Sequence, residues 1–279
     1  MKVAVIDTGG GLCDIFGAGV LDYCLNNSIN FDLCIGVSAG SANLSSFVAG
    51  QLGRNYRFYK IYSARKEYMS FSNLQVKGNY ADFDYAYGTL SNEGGEDALD
   101  YAYFCKNPTD YYAVVTNALT GEAEYLRKQE MKKNAYHPIK ASSSFPPMNN
   151  PYVINGTPYY DGVISDFIPI DLAFNIGCDK AVVIFSQPIT TFDFSTDKKI
   201  ASKIGEKYPQ TAKTLLERKE KITNKLIKLQ EYEKQGKALI IQPTKTYGVQ
   251  SFTRNEEGMQ KLYEEGLVLG ENIKKFLQR

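Results

Sequence analysis

Ile35-Gly36-Val37-Ser38-Ala39-Gly40 is the stretch on which the fold turns. It contains Gly-x-Ser-x-Gly, with Ser38 at the centre and Gly36 and Gly40 on either side. The preceding Phe31-Asp32-Leu33-Cys34-Ile35 reads as a short buried strand. The following Ser41-Ala42-Asn43-Leu44-Ser45-Ser46-Phe47 reads as the start of a helix. A serine on a sharp strand-to-helix turn is the setting of a nucleophile elbow. The two glycines have a mechanical reason, because side chains there would clash with strand and helix. The hydroxyl is then held at the end of the sheet, near the positive end of a helix. The bare motif also occurs by chance in loops, and the strand and helix around it separate the two readings.

A second glycine turn lies upstream. Lys2-Val3-Ala4-Val5-Ile6-Asp7 reads as a strand that ends in Thr8-Gly9-Gly10-Gly11 and runs into a helix that closes between Tyr23 and Asn30. Glycines between strand and helix expose backbone N–H groups at a helix N-terminus, which makes an anion site. A phosphate cradle is one use. Against it, no Gly-Lys-Ser/Thr follows, and Gly-x-Gly-x-x-Gly is not met from Gly9 or Gly11. Acyl transfer at Ser38 is the better use, because it needs N–H donors aimed at the developing oxyanion. A tight turn without a ligand is the plain alternative.

Composition bounds the class. The chain has 279 residues, enough for one large α/β domain or two small ones. A net charge of +1 gives no global field that points to nucleic acid or a membrane. Five scattered cysteines, none in a Cys-x-x-Cys pair, suggest neither a disulfide framework nor a zinc site. No cofactor or metal is expected. The immediate N-terminal strand leaves no room for a signal peptide, and no apolar run is long enough to span a bilayer. The expected location is the cytoplasm, with peripheral membrane contact left open.

Arg54 to Tyr62 alternates cations and aromatics; we read it as a helix with Phe58, Ile61 and Tyr62 inward and cations outward. Nucleic-acid stacking or a membrane face is the less favoured reading. Residues 70–100 read as an irregular excursion, or a cap that gates the site. Tyr112–Asn117 and Ala123–Leu126 read as paired strands around a turn at 119–122. Asp179–Phe185 reads as a core strand, Thr211–Lys237 as a helix, Lys237–Pro243 as a late strand and Asn255–Leu277 as a closing helix. The 211–237 helix holds eight Lys and Arg against four Glu. It suits a solvated helix packed on one face, and less often an anionic lipid surface. With no evident linker or repeat, residues 1–279 are expected to form a single domain.

A serine nucleophile needs a base. His137 is the only histidine, beside Pro138, in a setting with no evident catalytic geometry. The other candidate is Asp161, in Tyr159-Tyr160-Asp161-Gly162-Val163. A partly desolvated carboxylate beside a hydroxyl can act as general base. A plain hairpin Asp-Gly explains that pair as well, so these residues alone leave the base open.

Taken together, the motifs resemble the patatin-like phospholipase family, closest to its bacterial branch. The pieces occur in that family's order: Gly9-Gly10-Gly11 with Gly19-Val20-Leu21, Gly36-Val37-Ser38-Ala39-Gly40, then Asp161-Gly162. Ala141-Ser142-Ser143-Ser144-Phe145-Pro146-Pro147 and Ser165-Asp166-Phe167-Ile168-Pro169-Ile170 match its intervening and following segments. The motif-bearing part is about 3–187, with a helical and strand extension over 188–279. The resemblance implies an α/β fold, a three-layer α/β/α sandwich around a mostly parallel sheet. It implies lipid acyl hydrolysis of a phospholipid or lysophospholipid by a Ser38–Asp161 dyad, without metal or histidine. Backbone N–H groups of Gly9, Gly10, Gly11 and Ala39 would form the oxyanion hole. Two alternatives stay beside it: a small-ester hydrolase with His137 completing a triad, and a weak or inactive lipid- or partner-binding scaffold.

Two departures qualify the resemblance. The family usually has a basic residue and then Gly after the glycine triplet, where this chain has Cys13 and Asp14. Asp14 is expected either to face the site and oppose the oxyanion, or to face solvent at a helix end. Val163 stands where Gly or Ala usually follows Asp-Gly, which is expected to alter the turn, since Val resists positive φ.

Overall fold

Val3–Asp7 (β1) and Leu33–Val37 (β2) are buried along their whole length, without polar alternation before Asp7. Such runs suit strands covered on both faces. The computed structural model describes residues 1–278 and places these strands inside an eight-stranded sheet. The others are Asp110–Asn117 (β3), Ala123–Arg127 (β4), Tyr152–Ile154 (β5), Thr157–Asp161 (β6), Lys180–Ile184 (β7) and Ala238–Ile241 (β8). β3, β2, β1, β7 and β8 lie side by side and parallel. β4 and β6 join β3 antiparallel, and β5 pairs with β6.

Alternate residues of β1 define the layers. Val3 and Val5 pack with the helices Ile15–Asn26, Ala39–Val48 and Glu256–Leu269. Ala4 and Ile6 pack on the other face with the helices Ile170–Asn175 and Pro209–Lys234. The result is the expected α/β/α sandwich, with a mixed, mostly parallel sheet.

One register detail positions the site. β3 is longer than β2: Val114 pairs with Val37, and there β2 ends. Val115 pairs with Glu124 of β4 and also with Asp161 of β6. A strand has two edges, so β6 must lie on the edge that β2 has just vacated. β6 therefore runs head-on toward the end of β2, and its last residue, Asp161, meets the elbow that begins at Ser38. Residues far apart in sequence become neighbours because both border one edge of β3.

Several expectations shift. Asp161-Gly162 is no hairpin: β6 ends at Asp161 and a 3₁₀ turn follows over Gly162–Ile164. The hairpin of this region is β5–β6, turning at Asn155-Gly156 with positive φ at both residues (50° and 83°), as a type I′ turn requires. The helix Arg54–Lys60 stops short of Tyr62, which opens a 3₁₀ turn; Phe58 and Tyr62 are buried as expected, but Arg54 is buried too, and Ile61 is 49 % exposed. The cap region holds a helix at Phe71–Lys77 and a π-helical turn at Tyr85–Leu90. The closing helix is two, Glu256–Leu269 and Glu271–Leu277, meeting at Gly270. The first crosses Ile15–Asn26 closely: a Cβ on Gly19 would lie 2.2 Å from the Tyr263 carbonyl, and one on Gly266 2.2 Å from that of Phe16. No helix among the described residues is long and apolar enough to cross a membrane.

Candidate active site

Ser38 leaves β2 in a backbone conformation that L-residues avoid, with φ 54° and ψ −130°. The helix Ala39–Val48 starts at the next residue. A Cβ on Gly36 would come within 2.3 Å of Ser41 Cα, and one on Gly40 within 2.2 Å of the Asp7 carbonyl oxygen. Neither position has room for a side chain, so both glycines of Gly-x-Ser-x-Gly are explained by close approach. The elbow is pinned from the far side: the Ser38 N–H donates to Ser142 Oγ (2.9 Å), and that hydroxyl donates to the Val114 carbonyl (2.7 Å). Reading the residues for chemistry overlooked Ser142. Its signal lay in Ala141–Ser144, which had only the family pattern to mark it.

Asp161 is buried. Its backbone N–H donates to the Ser144 carbonyl (3.0 Å), and its carbonyl accepts from Thr116 Oγ1 (2.7 Å). Its Oδ1 accepts from the Val163 N–H (2.9 Å). Burial pushes the Asp161 carboxyl up to about 7, against the pull of the Ser38 hydroxyl, the Val163 N–H and the more distant Arg218 charge. A Cβ on Gly162 would lie 2.4 Å from the Val114 carbonyl, so glycine is required for the turn to pass β3. Val163 is not in the positive-φ region, so this departure from the family pattern strains nothing.

The glycine turn faces this pair. Gly9, Gly10 and Gly11 have φ of 72°, 134° and 60°. A Cβ on Gly9 would lie 3.0 Å from Ser38 Cβ and 3.1 Å from the Ala39 nitrogen, so turn and elbow touch. Ser186 Oγ donates to the Gly9 carbonyl (2.6 Å), and the Gly9 N–H donates to Asp7 Oδ1 (3.1 Å). That leaves the Gly10, Gly11 and Ala39 N–H groups without a protein acceptor among the described residues. Of the four donors expected, Gly9 is already committed.

Asp14 takes neither expected position. It is fully buried, facing neither solvent nor the cavity, and Asn43 Nδ2 bonds both its carbonyl (3.0 Å) and its Oδ2 (3.0 Å). Cys13 is also buried and points its thiol at the Val249 carbonyl (3.5 Å). His137 opens the helix His137–Ser142, and its Nδ1 is 2.8 Å from Tyr152 Oη. It does not line the cavity that holds Ser38 and Asp161.

That cavity measures about 300 Å³. Phe83, Phe145, Phe167, Phe192 and Phe252 line it, as does Arg218, whose positive charge acts on Asp161. Arg218 is held by Asp197 through two bonds, Nε to Oδ2 (3.1 Å) and Nη2 to Oδ1 (2.7 Å). Among the described residues no group of three or more His, Cys, Asp or Glu could hold a metal ion.

Comparison with known proteins identifies the family. A relative in Escherichia coli K12, the uncharacterized protein YjjU, is 30 % identical over 189 residues. That alignment covers 67 % of this chain and 52 % of the relative, so the chain spans about half the relative's length. Among solved structures, VipD from Legionella pneumophila aligns with 97 % of this chain and 66 % of its own, at a TM-score of 0.49 and 12 % identity. The family model Domain of unknown function (DUF6363) matches residues 208–278. The patatin-like phospholipase model matches residues 5–174, a span that takes in both glycine turns, Ser38 and Asp161. Since that match covers more than half of the 279 residues, the chain belongs to the patatin-like phospholipase family.

Proposed function

We propose that this protein is a lipid acyl hydrolase that cleaves carboxylic esters of phospholipids or lysophospholipids with a Ser38–Asp161 dyad. One observation carries the reading: the end of β6 abuts the end of β2 on one edge of β3, so a buried carboxylate stands beside a strained serine in one apolar cavity. Ser38 Oγ attacks the ester carbonyl and Asp161 takes its proton. The carbonyl oxygen becomes an oxyanion facing the Gly10, Gly11 and Ala39 N–H groups. The adduct collapses, the C–O bond to the alcohol breaks, and the alcohol leaves with the proton from Asp161. Water then attacks the acyl-serine, again giving its proton to Asp161. The bond from the acyl carbon to Ser38 Oγ breaks, Oγ takes the proton back from Asp161, and the fatty acid leaves.

Two features support an acyl substrate, and a third supports the base. The cavity wall is aromatic and apolar, which suits a hydrocarbon chain. Its size is at the small end of the range for ligand pockets, roughly 300–1,000 Å³, which favours one acyl chain over two. A base near neutrality suits proton transfer at physiological pH, and the Asp161 carboxyl sits at about 7. A fluorophosphonate probe should label Ser38 alone in the wild type and nothing in Ser38→Ala, read by peptide mass spectrometry. A folded protein that takes no label would favour a binding scaffold.

A further inference from the structure

Asp7 and Asp14 are two carboxyl groups that the proposed reaction leaves unused, and both are fully buried. A methyl group on Gly17 would lie 2.6 Å from Asp14 Oδ1 and 2.8 Å from Asp7 Oδ2, so the two oxygens flank one point. Asn43 Nδ2 donates to Asp7 Oδ2 (3.2 Å) and Asp14 Oδ2 (3.0 Å), and Tyr59 Oη donates to Asn43 Oδ1 (3.0 Å). Asp14 Oδ1 is buried and finds no donor. Two ionised carboxylates do not share a dry site; one keeps its proton. A proton on Asp14 Oδ1, donated to Asp7 Oδ2, accounts for the orphaned oxygen.

The electrostatics agree. Burial pushes Asp7 up to about 6, and burial with the Asp7 charge holds Asp14 well above the usual carboxylate range. The titratable groups that feel the pair are Cys13 beside it, Cys34 on β2, Tyr59 on the helix Arg54–Lys60 and Tyr87 on the π-helical turn. None of them is a cation.

Asp7 connects this pair to the site. Its Oδ1 accepts from the Gly9 N–H (3.1 Å), and its Cγ would lie 2.8 Å from a Cβ on Gly40. The Asp7 carboxyl is therefore wedged between the glycine turn and the elbow. We propose that Asp14 is a positioning residue: its protonated carboxyl hydrogen-bonds Asp7 and so holds the Gly9–Gly11 turn against the Ser38 elbow. The proposal rests on the acyl-transfer reading of that site. Losing the shared proton at alkaline pH places two like charges beneath the turn and lets it shift. An asparagine at position 14 offers Asp7 an N–H at every pH.

The test compares the full-length wild type, Asp14→Asn and Asp14→Ala. kcat and KM on a soluble p-nitrophenyl ester are measured across pH, with the thermal midpoint at each pH. The wild type should lose kcat on the alkaline side. In Asp14→Asn that fall should move up by about one pH unit or more, and in Asp14→Ala kcat should drop roughly tenfold with KM little changed. The stability arm has a definite sign. Asp14 titrates higher folded than unfolded, so its contribution is complete below about pH 4 and is lost as pH rises through the folded value. Asp14→Asn should therefore gain in midpoint over the wild type as pH rises, and the gap should close in acid. A gap that ignores pH would overturn the shared proton. A pH-dependent gap with superimposable activity profiles would overturn the positioning role. Failure of the hydrolase reading would show separately, as wild-type Ser38 that takes no fluorophosphonate, while the stability comparison still tests the pair.

Discussion

Ser38 holds its hydroxyl aloft at the cost of backbone strain. A residue with a Cβ in a left-handed conformation costs about 1–2 kcal/mol. Ser38→Gly should therefore exceed Ser38→Ala in stability by about 1 kcal/mol in urea denaturation, with both variants inactive. Asp161 carries the opposite signature. Its folded carboxyl is raised to about 7, so stability present in acid is lost as pH rises from about 4 through that value. Asp161→Asn should lose roughly a hundredfold or more in kcat, as loss of a general base implies. The same variant should gain thermal midpoint over the wild type above neutrality. A variant that loses activity and also loses midpoint at alkaline pH would mean that the carboxylate is structural. His137→Ala should keep ester hydrolysis within a few-fold, since His137 is engaged with Tyr152 away from the cavity. Individual residues were unevenly legible. Gly36, Gly40 and Ser38 could be read directly, because a strand, a tight turn and a helix leave few choices. The surroundings of Asp14 could not, because its partners come from β1, Asn43 and Tyr59, and only packing brings those together.

The strands explain why Asp161 could not be assigned from its neighbours. Asp-Gly reads locally as a turn, and it does end a strand. The role proposed for it depends on β3 overrunning β2 and on β6 filling the vacated edge, a register that no local pattern encodes. The β3–β4 pairing was legible, since its two apolar runs flank a short turn. The β5–β6 hairpin carries an equally clear local signal in Asn155-Gly156. A cation such as Arg54 is expected on the outer face; it is buried because the Asp97 carbonyl and the Ser46 and Ser91 hydroxyls receive its guanidinium. The Gly19–Gly266 crossing makes a clean test of helix packing. Gly266→Ala would press a methyl group on the Phe16 carbonyl and should cost about 1–3 kcal/mol, as overpacking does. Thermal unfolding checks it, and an unchanged midpoint would show that the two helices part readily.

The segment beyond residue 187 builds the same body as the motif-bearing part. It supplies β8 to the sheet, helices to both faces, and Arg218 and Phe252 to the cavity wall. The Leu12 N–H donates to the Ser251 carbonyl (3.0 Å), so this segment also backs the glycine turn. We propose that the chain unfolds as one unit. Circular dichroism and tyrosine fluorescence should give coincident transitions, and truncation after residue 187 should leave no folded, active protein. Two separated transitions would divide the chain into independent domains.

If Asp161 activates Ser38, the rate of fluorophosphonate labelling must depend on it. Labelling is followed by peptide mass spectrometry in the wild type, Asp161→Asn and His137→Ala, from mildly acidic to mildly alkaline pH. One adduct is expected, on Ser38, forming faster as pH rises through about 7, about a hundredfold slower in Asp161→Asn and little changed in His137→Ala. An adduct on another serine, or a rate that depends on His137 and not on Asp161, would contradict it.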